Sequence, residues 1–194
     1  MLKLKRYDLS VIVASSRPKW LANCLSQLGR QSHGGLSVEP VVVTEGDDEN
    51  FGRVIDRFGI KKHIAKSLEG FSGAFAKDLG VRYATGDYVC YWDDDNIYYD
   101  HALATLYSAA VGFDIGVVGC GLMAFDFDVI PRDHEIRFAN IDTMCVCVRR
   151  TTAMKAKWSD HRDVGTDFAW LKKLKAFEPT VRFVDIKIGE HLNG

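Results

Sequence analysis

The chain has 194 residues, enough for one domain with a sizeable core and too few for two ordinary domains. Its 25 basic and 26 acidic residues give a formal net charge of -1, so we expect no global attraction to nucleic acid or anionic lipid. No apolar run approaches the roughly 18 residues of a membrane span, and residues 1–8 lack the apolar segment of a signal peptide. One domain over residues 1–194 is predicted.

The chain carries five cysteines, an odd number, and four of them lie within apolar runs. Buried reduced thiols are the simplest interpretation, and they indicate a cytoplasmic protein. Cys145 and Cys147 would face the same side of a strand, which leaves a metal or redox role as the alternative to core packing. The other three are Cys24, Cys90 and Cys120.

The first predicted unit is a strand at residues 9–14, a polar turn and a helix. Ser15 or Ser16 can cap this helix, and Pro18 fits its first turn, where the missing amide hydrogen is harmless. Its apolar residues recur at helical spacing: Trp20, Leu21, Cys24, Leu25 and Leu28.

A second strand is predicted at residues 38–43, with Pro40 near its start or on an edge. Residues 44–50 form an acidic loop, residues 51–58 a short helix and residues 61–65 a weaker strand. The next predicted helix places these residues on one face: Ala76, Leu79, Gly80 and Tyr83.

A strand beginning at Tyr88 ends in three consecutive carboxylates, Asp93, Asp94 and Asp95, followed by Asn96. Unpaired carboxylates repel, so the cluster either is a solvated acidic turn or binds a cation such as Mg²⁺, Mn²⁺ or Ca²⁺.

Strands that alternate with helices predict an α/β, Rossmann-like fold with a mostly parallel central sheet flanked by helices. Ligands bind such sheets beyond the carboxyl ends of the strands, where three polar loops should meet: residues 15–18, 44–48 and 93–96.

The second half predicts strands at residues 115–120, 144–148 and 181–188, and helices at residues 102–111, 151–157 and 166–177. Residues 123–140 have weak periodicity and mixed charge, and we expect a small, partly antiparallel insert there.

The order of these motifs resembles the GT-A glycosyltransferases, especially the large inverting family 2. The resemblance lies in residues 9–14 with Arg17-Pro18, in residues 41–46, in the helix at residues 73–80, and in residues 91–96, which resemble the family's Asp-x-Asp motif. In the second half it covers only residues 165–167 and His191. It implies the GT-A fold, with a nucleotide-sugar half at residues 1–100 and an acceptor half at residues 101–194.

The resemblance implies a hexosyltransferase-type enzyme that uses a nucleoside-diphosphate sugar, most simply a UDP-sugar, and Mn²⁺ or Mg²⁺. Asp95 would bind the ion, Asp93 would lie nearer the ribose or the ion's waters, and His191 would be a third ligand. Asp94 would point the other way, near the substrate or as a solvated or capping carboxylate. For His191 the alternative is a structural or exposed histidine.

An inverting transfer needs a base, and the resemblance assigns this role to Asp167. Thr166 stands where the family commonly has an acidic residue, so Asp167 as a simple helix N-terminal carboxylate is one alternative. Asp160 and Asp163 are alternative bases.

For the nucleotide, the resemblance implies contacts from Ala14, Ser15, Arg17 and Glu45. Lys77 occupies the place of an arginine that faces the nucleotide in relatives; the alternative is an exposed helical lysine.

Two other functions remain open: a nucleotidyltransferase, and a binding module without catalysis. A Gly-rich phosphate loop after the first strand would favour the former, and the chain has Ser-Ser-Arg-Pro there. Relatives glycosylate saccharides, lipids, proteins and modified nucleic acid, and the near-neutral charge argues against DNA as acceptor. Because the sequence ends three residues after His191, we expect either a minimal member or part of a longer chain.

Overall fold

The computed structural model describes residues 7–46, 48–66, 73–123, 127–129, 134–136, 141–160 and 166–192, and these form one nine-stranded sheet with helices. The strands are β1 (Leu9–Ser15), β2 (Val38–Glu45), β3 (His63–Lys66), β4 (Tyr88–Asp93), β5 (Ile97–Tyr98), β6 (Ile115–Leu122), β7 (Phe127–Val129), β8 (Val146–Arg149) and β9 (Val181–His191). The helices are α1 (Pro18–Arg30), α2 (Glu49–Arg57), α3 (Ala74–Tyr83), α4 (Ala102–Ala110), α5 (Arg150–Ala153) and α6 (Thr166–Lys175).

The first half of the chain forms the parallel part of the sheet. β1 lies between β2 and β4 and is parallel to both, and β3 is parallel to β2. Ala14 pairs with Asp93, and Ser15 pairs with Thr44, so β1, β2 and β4 end at the same edge. The polar loops predicted from the sequence follow these strand ends.

The second half continues the sheet in the order β4-β8-β6-β9-β5, with β7 on β6. β8 is antiparallel to both β4 and β6, β9 is parallel to β6, and β5 is antiparallel to β9. β7 is also antiparallel to β6, as predicted for the insert at residues 123–140. The predicted α/β class is confirmed, and the antiparallel pairs lie in the second half.

Two predicted elements differ from the structure. The first two residues of the predicted strand at 144–148, Met144 and Cys145, belong instead to a 3-10 turn, Thr143–Cys145, because the side chain of Asp142 caps the Met144 amide. The predicted helix at residues 151–157 ends early, at Ala153 in α5, and a second 3-10 turn follows at Trp158–Asp160.

Pro40 is the third residue of β2, at a position that pairs with β1 but precedes the pairing with β3. Its missing amide hydrogen is therefore on the unpaired side of the strand, as a strand proline requires.

An aromatic cluster packs against β4 at Tyr91, two residues before the acidic triplet. The rings of Trp158 and Trp170 stack with centroids 4.0 Å apart, and Tyr91 of β4 meets both edge-on at 4.9 and 5.5 Å. All three side chains are almost fully buried. Aromatic pairs of this geometry favour a fixed arrangement, so the cluster joins α6 and the Trp158–Asp160 turn firmly to β4.

Helix α3 approaches β1 closely at Gly80. A Cβ atom at this position would lie 2.3 Å from Cγ2 of Ile12, which only glycine avoids. Lys77 lies nearly one turn earlier on the same helix, so this approach brings its side chain to the edge where β1 and β4 end.

All five cysteines are free and buried, as predicted for core thiols. Among the helices in the described part of the chain, none is long and apolar enough to cross a membrane.

Candidate active site

Asp93 ends β4 and has Lys77 as its charge partner. Nζ of Lys77 lies 3.1 Å from Oδ1 of Asp93, and the Asp93 amide donates to the Tyr98 hydroxyl at 3.1 Å. Burial, helped by the nearby carboxylates of Asp142 and Asp167, raises the pKa of Asp93 above its ordinary value although Lys77 acts in the opposite direction.

Lys77 is mostly shielded from solvent, with 12% of its side chain exposed. Its Nζ also lies 5.0 Å from the ring centroid of Trp158. Although burial disfavours the charge, the carboxylates of Asp93, Asp167 and Asp142 together raise the pKa of Lys77. The alternative of an exposed helical lysine is therefore wrong: Lys77 is a fixed cation among three carboxylates.

Asp94 is buried and faces the loop between β1 and α1. Its Oδ2 accepts from Oγ of Ser15 at 2.5 Å, and its Oδ1 lies 2.5 Å from Nη2 of Arg17. The solvated alternative for Asp94 is wrong because only 4% of the residue is exposed. Both carboxylate oxygens are used to hold the loop in place, so we interpret Asp94 as an anchor for the loop that was predicted to bind the nucleotide.

Arg17 connects two of the three aspartates. The Nη2 that binds Asp94 also lies 2.9 Å from Oδ2 of Asp95. The hydrogen bond to Asp95, together with Asp94, raises the pKa of Arg17 despite partial burial. Its guanidinium lies 5.1 Å from the ring centroid of Trp20, so Arg17 places an aromatic side chain beside the acidic triplet.

The other two predicted nucleotide contacts lie on the same edge. Ala14 is the partner of Asp93 across the sheet, and Glu45 is the exposed last residue of β2. The structure therefore brings Ala14, Ser15, Arg17 and Glu45 to adjacent strand ends, beside the triplet.

His191 is the last residue of β9, and its partner is a carboxylate that the sequence analysis missed. Nδ1 of His191 lies 2.9 Å from Oδ2 of Asp142. This close contact with Asp142, with contributions from Asp93 and Asp95, raises the pKa of His191. Although burial opposes its charge, the same contact with His191 holds the pKa of Asp142 below its ordinary value. The only sequence signal for Asp142 is that Asp before a short turn is a common cap.

Asp167 lies in the first turn of α6, and its Oδ2 accepts from the Thr143 amide at 3.2 Å. It belongs to the same group as Asp93 and Lys77, because its charge acts on both. Of the alternative bases, Asp160 forms a surface ion pair with Lys173, and Asp163 lies outside the described residues.

The predicted metal ligands are each paired with another side chain: Asp93 with Lys77, Asp95 with Arg17 and His191 with Asp142. Within the described ranges, no three His, Cys, Asp or Glu side chains are placed together so as to hold a metal ion. The donor types nevertheless fit a hard divalent ion, because carboxylates and imidazole suit Mn²⁺ and Mg²⁺. The charge of the site also fits a divalent cation, because its carboxylates outnumber its cations. The carboxylates are Asp93, Asp94, Asp95, Asp142 and Asp167, and the cations are Arg17, Lys77 and His191.

Comparison with known proteins gives the same family as the sequence motifs. The model of glycosyl transferase family 2 matches residues 10–178. The glycosyltransferase GlyG of Streptococcus pneumoniae serotype 4 is 29% identical over 103 residues, 52% of this chain and 34% of GlyG. The chain thus spans about a third of the length of this curated relative.

Solved structures share the fold. The mannosyltransferase PcManGT from Pyrobaculum calidifontis, in complex with GDP-Man and Mn²⁺, has a TM-score of 0.71 at 16% identity, with 96% of this chain and 57% of that chain covered. S. aureus TarS in complex with UDP has a TM-score of 0.66 at 15% identity, with 95% and 60% covered. These likenesses confirm the GT-A fold. Because the family model extends from β1 past the end of α6, the chain belongs to glycosyltransferase family 2.

Proposed function

We propose that this domain transfers a sugar from a nucleoside-diphosphate sugar, a UDP-sugar in the simplest case, to an acceptor hydroxyl with inversion at the sugar carbon. The observation that carries the proposal is the ion pair of 3.1 Å between Lys77 and Asp93 at the end of β4, with Asp167 of α6 near enough to raise the pKa of Lys77. This group lies at the edge where β1, β2 and β4 end, the usual ligand site of such sheets.

On this proposal residues 1–100 supply the nucleotide-sugar site. Ala14, Ser15, Arg17 and Glu45 line the strand ends that would receive the nucleoside. Arg17 is 42% exposed and carries a planar guanidinium, the group best suited to a diphosphate. The GDP-Man and UDP bound to the two structural relatives support a nucleotide ligand for the fold.

Asp95 and His191 would hold a divalent ion, Mn²⁺ or Mg²⁺, and Asp93 would lie toward the ribose or the waters of the ion. When bound, such an ion neutralises the charge that develops on a diphosphate leaving group. Because carboxylates outnumber cations at this edge of the sheet, a bound divalent cation would balance their negative charge. The Mn²⁺ in the PcManGT complex supports a divalent ion for this fold.

Asp167 is the proposed base. It is half-buried at the start of α6, and the Thr143 amide fixes one of its oxygens at 3.2 Å. A fixed carboxylate of this kind takes the proton of the acceptor hydroxyl as that oxygen attacks the sugar carbon. Residues 101–194, which contain Asp167, would then supply the acceptor side of the site.

Calorimetry with UDP, GDP and ADP, each with and without Mn²⁺, tests the nucleotide and metal parts. We expect binding of one diphosphate to strengthen at least tenfold with Mn²⁺, and Asp95→Ala to abolish this gain. Asp56→Ala, at an exposed carboxylate on α2, is the matched control and should bind as the wild type does. Equal binding with and without the metal would contradict the metal assignment.

Slow hydrolysis of UDP-sugars without acceptor, followed by NMR of the released sugar, tests the chemistry and the inversion. Asp167→Asn should retain nucleotide binding and lose turnover. Asp160→Asn is the control, because Asp160 was an alternative base and pairs with Lys173 at the surface. Turnover of nucleoside triphosphates with pyrophosphate release would instead identify a nucleotidyltransferase.

A further inference from the structure

Asp142 is a partly buried carboxylate, 14% exposed, whose two oxygens have different partners. Oδ1 accepts from the Met144 amide at 2.9 Å and so caps the Thr143–Cys145 turn. Oδ2 lies 2.9 Å from Nδ1 of His191. Capping needs only one oxygen, and Ser, Thr or Asn would provide it. The second oxygen therefore needs a separate explanation.

We propose that Asp142 is a positioning residue that fixes the ring of His191 with its proton on Nδ1 and leaves Nε2 as the nitrogen that binds the divalent ion. This inference rests on the proposed function, in which His191 is a metal ligand. A neutral imidazole has one donor and one acceptor nitrogen, and the partner of the donor decides which is which. Carboxylates that hold metal-binding histidines in this way affect metal affinity strongly.

The location of Asp142 supports a role within the site. The next residue, Thr143, donates its amide to Asp167, the proposed base, at 3.2 Å. Asp142 and Thr143 are thus adjacent residues that contact the end of β9 and the start of α6. A single short turn holds a proposed metal ligand and the proposed base.

Asp142→Asn separates the two tasks of the carboxylate. The amide oxygen of Asn can still accept from Met144, so the cap is retained. The amide nitrogen then faces His191 and is a donor, which can only pair with an unprotonated Nδ1. The proton of the ring must move to Nε2, the nitrogen needed for the metal.

Two measurements on the purified chain test the proposal. The first is the affinity for Mn²⁺ in the presence of UDP, measured by calorimetry. The second is the nitrogen chemical shifts of the His191 ring in protein labelled with ¹⁵N-histidine, at a pH where the ring is neutral and without metal. His191→Gln assigns the signals. The second measurement does not depend on activity or on metal.

We expect Asp142→Asn to weaken Mn²⁺ binding about 10- to 100-fold, the range known for such outer carboxylates, and to move the His191 proton from Nδ1 to Nε2. In a His191→Ala background the same substitution should cause no further loss, because Asp142 acts through that ring. Asp114→Asn is the matched control. Asp114 is also a capping carboxylate, with bonds to Thr180 and Arg149, but it lies at the start of β6, outside the site.

An unchanged tautomer in Asp142→Asn would overturn the proposal, and so would an equal loss of Mn²⁺ affinity in the His191→Ala background. If wild-type UDP binding proves independent of metal, the metal part of the proposed function fails. The ring shifts still decide whether Asp142 positions His191. If Asp142→Asn does not fold, Asp142→Ser replaces it, because Ser keeps a capping oxygen but is too short to reach His191.

Discussion

Lys77 and Asp93, on helix α3 and strand β4, form an ion pair of 3.1 Å in which both side chains are mostly shielded from solvent. A cation buried among Asp93, Asp142 and Asp167 holds together carboxylates that would otherwise repel one another. Lys77 is therefore the internal counter-ion of the proposed site.

Lys77→Met removes this charge and keeps the apolar stem. We expect the free energy of unfolding to fall by about 3 kcal/mol, because Asp93 is left partly buried without its cation. Urea denaturation checks this, and Lys172→Met, at an exposed position of α6, should have little effect. Adding Asp93→Asn to Lys77→Met should restore part of the lost stability. Two simply additive losses would show that the pair is not coupled.

Asp94 and Asp95 are adjacent, but we expect their substitution to have different effects on stability and on metal-dependent binding. Asp94→Asn disturbs hydrogen bonds to Ser15 and Arg17 in a buried position and should lower stability by about 2 kcal/mol. Asp95, which is more exposed than Asp94, pairs with Arg17, so Asp95→Asn should cost little stability and remove the Mn²⁺ dependence of UDP binding. Thermal unfolding and calorimetry on both variants check this contrast. A loss of stability in Asp95→Asn together with a loss of Mn²⁺ dependence alone in Asp94→Asn would contradict the site described above.

Glu39 should make the stability of the folded chain depend on pH in the acidic range. It is 5% exposed and accepts from Ser10 at 2.5 Å and from the Thr85 amide at 2.7 Å, with Lys62 as its ion-pair partner. Although burial opposes the charge, these partners lower the pKa of Glu39 in the folded state.

A carboxyl group whose pKa is lower in the folded than in the unfolded state stabilises the fold fully at pH values above its unfolded-state pKa. This contribution is lost as the pH falls through the folded-state pKa. We therefore expect the free energy of unfolding to decrease as the pH falls below about 4.3, the ordinary pKa of Glu. Glu39→Gln should be less stable near neutrality and show a shallower drop. Glu49→Gln, at an exposed helix start, should follow the wild-type curve in urea titrations at each pH.

Trp20 offers an optical probe of the proposed nucleotide site. It is 40% exposed, whereas Trp92, Trp158 and Trp170 are at most 1% exposed. Its ring contacts Arg17, so a diphosphate that binds this guanidinium should change the emission of Trp20. We expect UDP to shift or quench the fluorescence of the wild type and not that of Trp20→Phe. A UDP response that persists in Trp20→Phe would place the nucleotide elsewhere.

The sequence predicted the parallel half of the fold well because its signals are local. Residues 9–14 and 38–43 are short apolar runs with polar turns behind them, and such runs specify strands without knowledge of their neighbours. The common edge of β1, β2 and β4 then follows from the βαβ order. The start of the predicted strand at residues 144–148 was wrong because a side-chain cap, from Asp142, begins a turn that takes up the first two of these residues.

The contacts within the site were less predictable. Asp93, Asp94 and Asp95 are chemically identical, and only the fold decides that the second is buried against Ser15 while the first faces Lys77. Asp142 was missed because its partner, His191, lies at the far end of the chain and shares no local pattern with it. The burial of Lys77 follows from the closeness of α3 to β1 at Gly80, which the helical pattern alone does not indicate.

The pairing of Ala14 with Asp93 and of Ser15 with Thr44 constrains how this domain can vary. Side chains alternate between the faces of a strand, so an insertion or deletion of one residue between Leu9 and Ser15 would turn Ser15 away from Asp94 and displace Arg17. Substitution of one apolar side chain by another in the same stretch would leave that alignment intact. Variation among functional descendants of this sequence should therefore exchange apolar residues of β1 more readily than it changes the length of the strand.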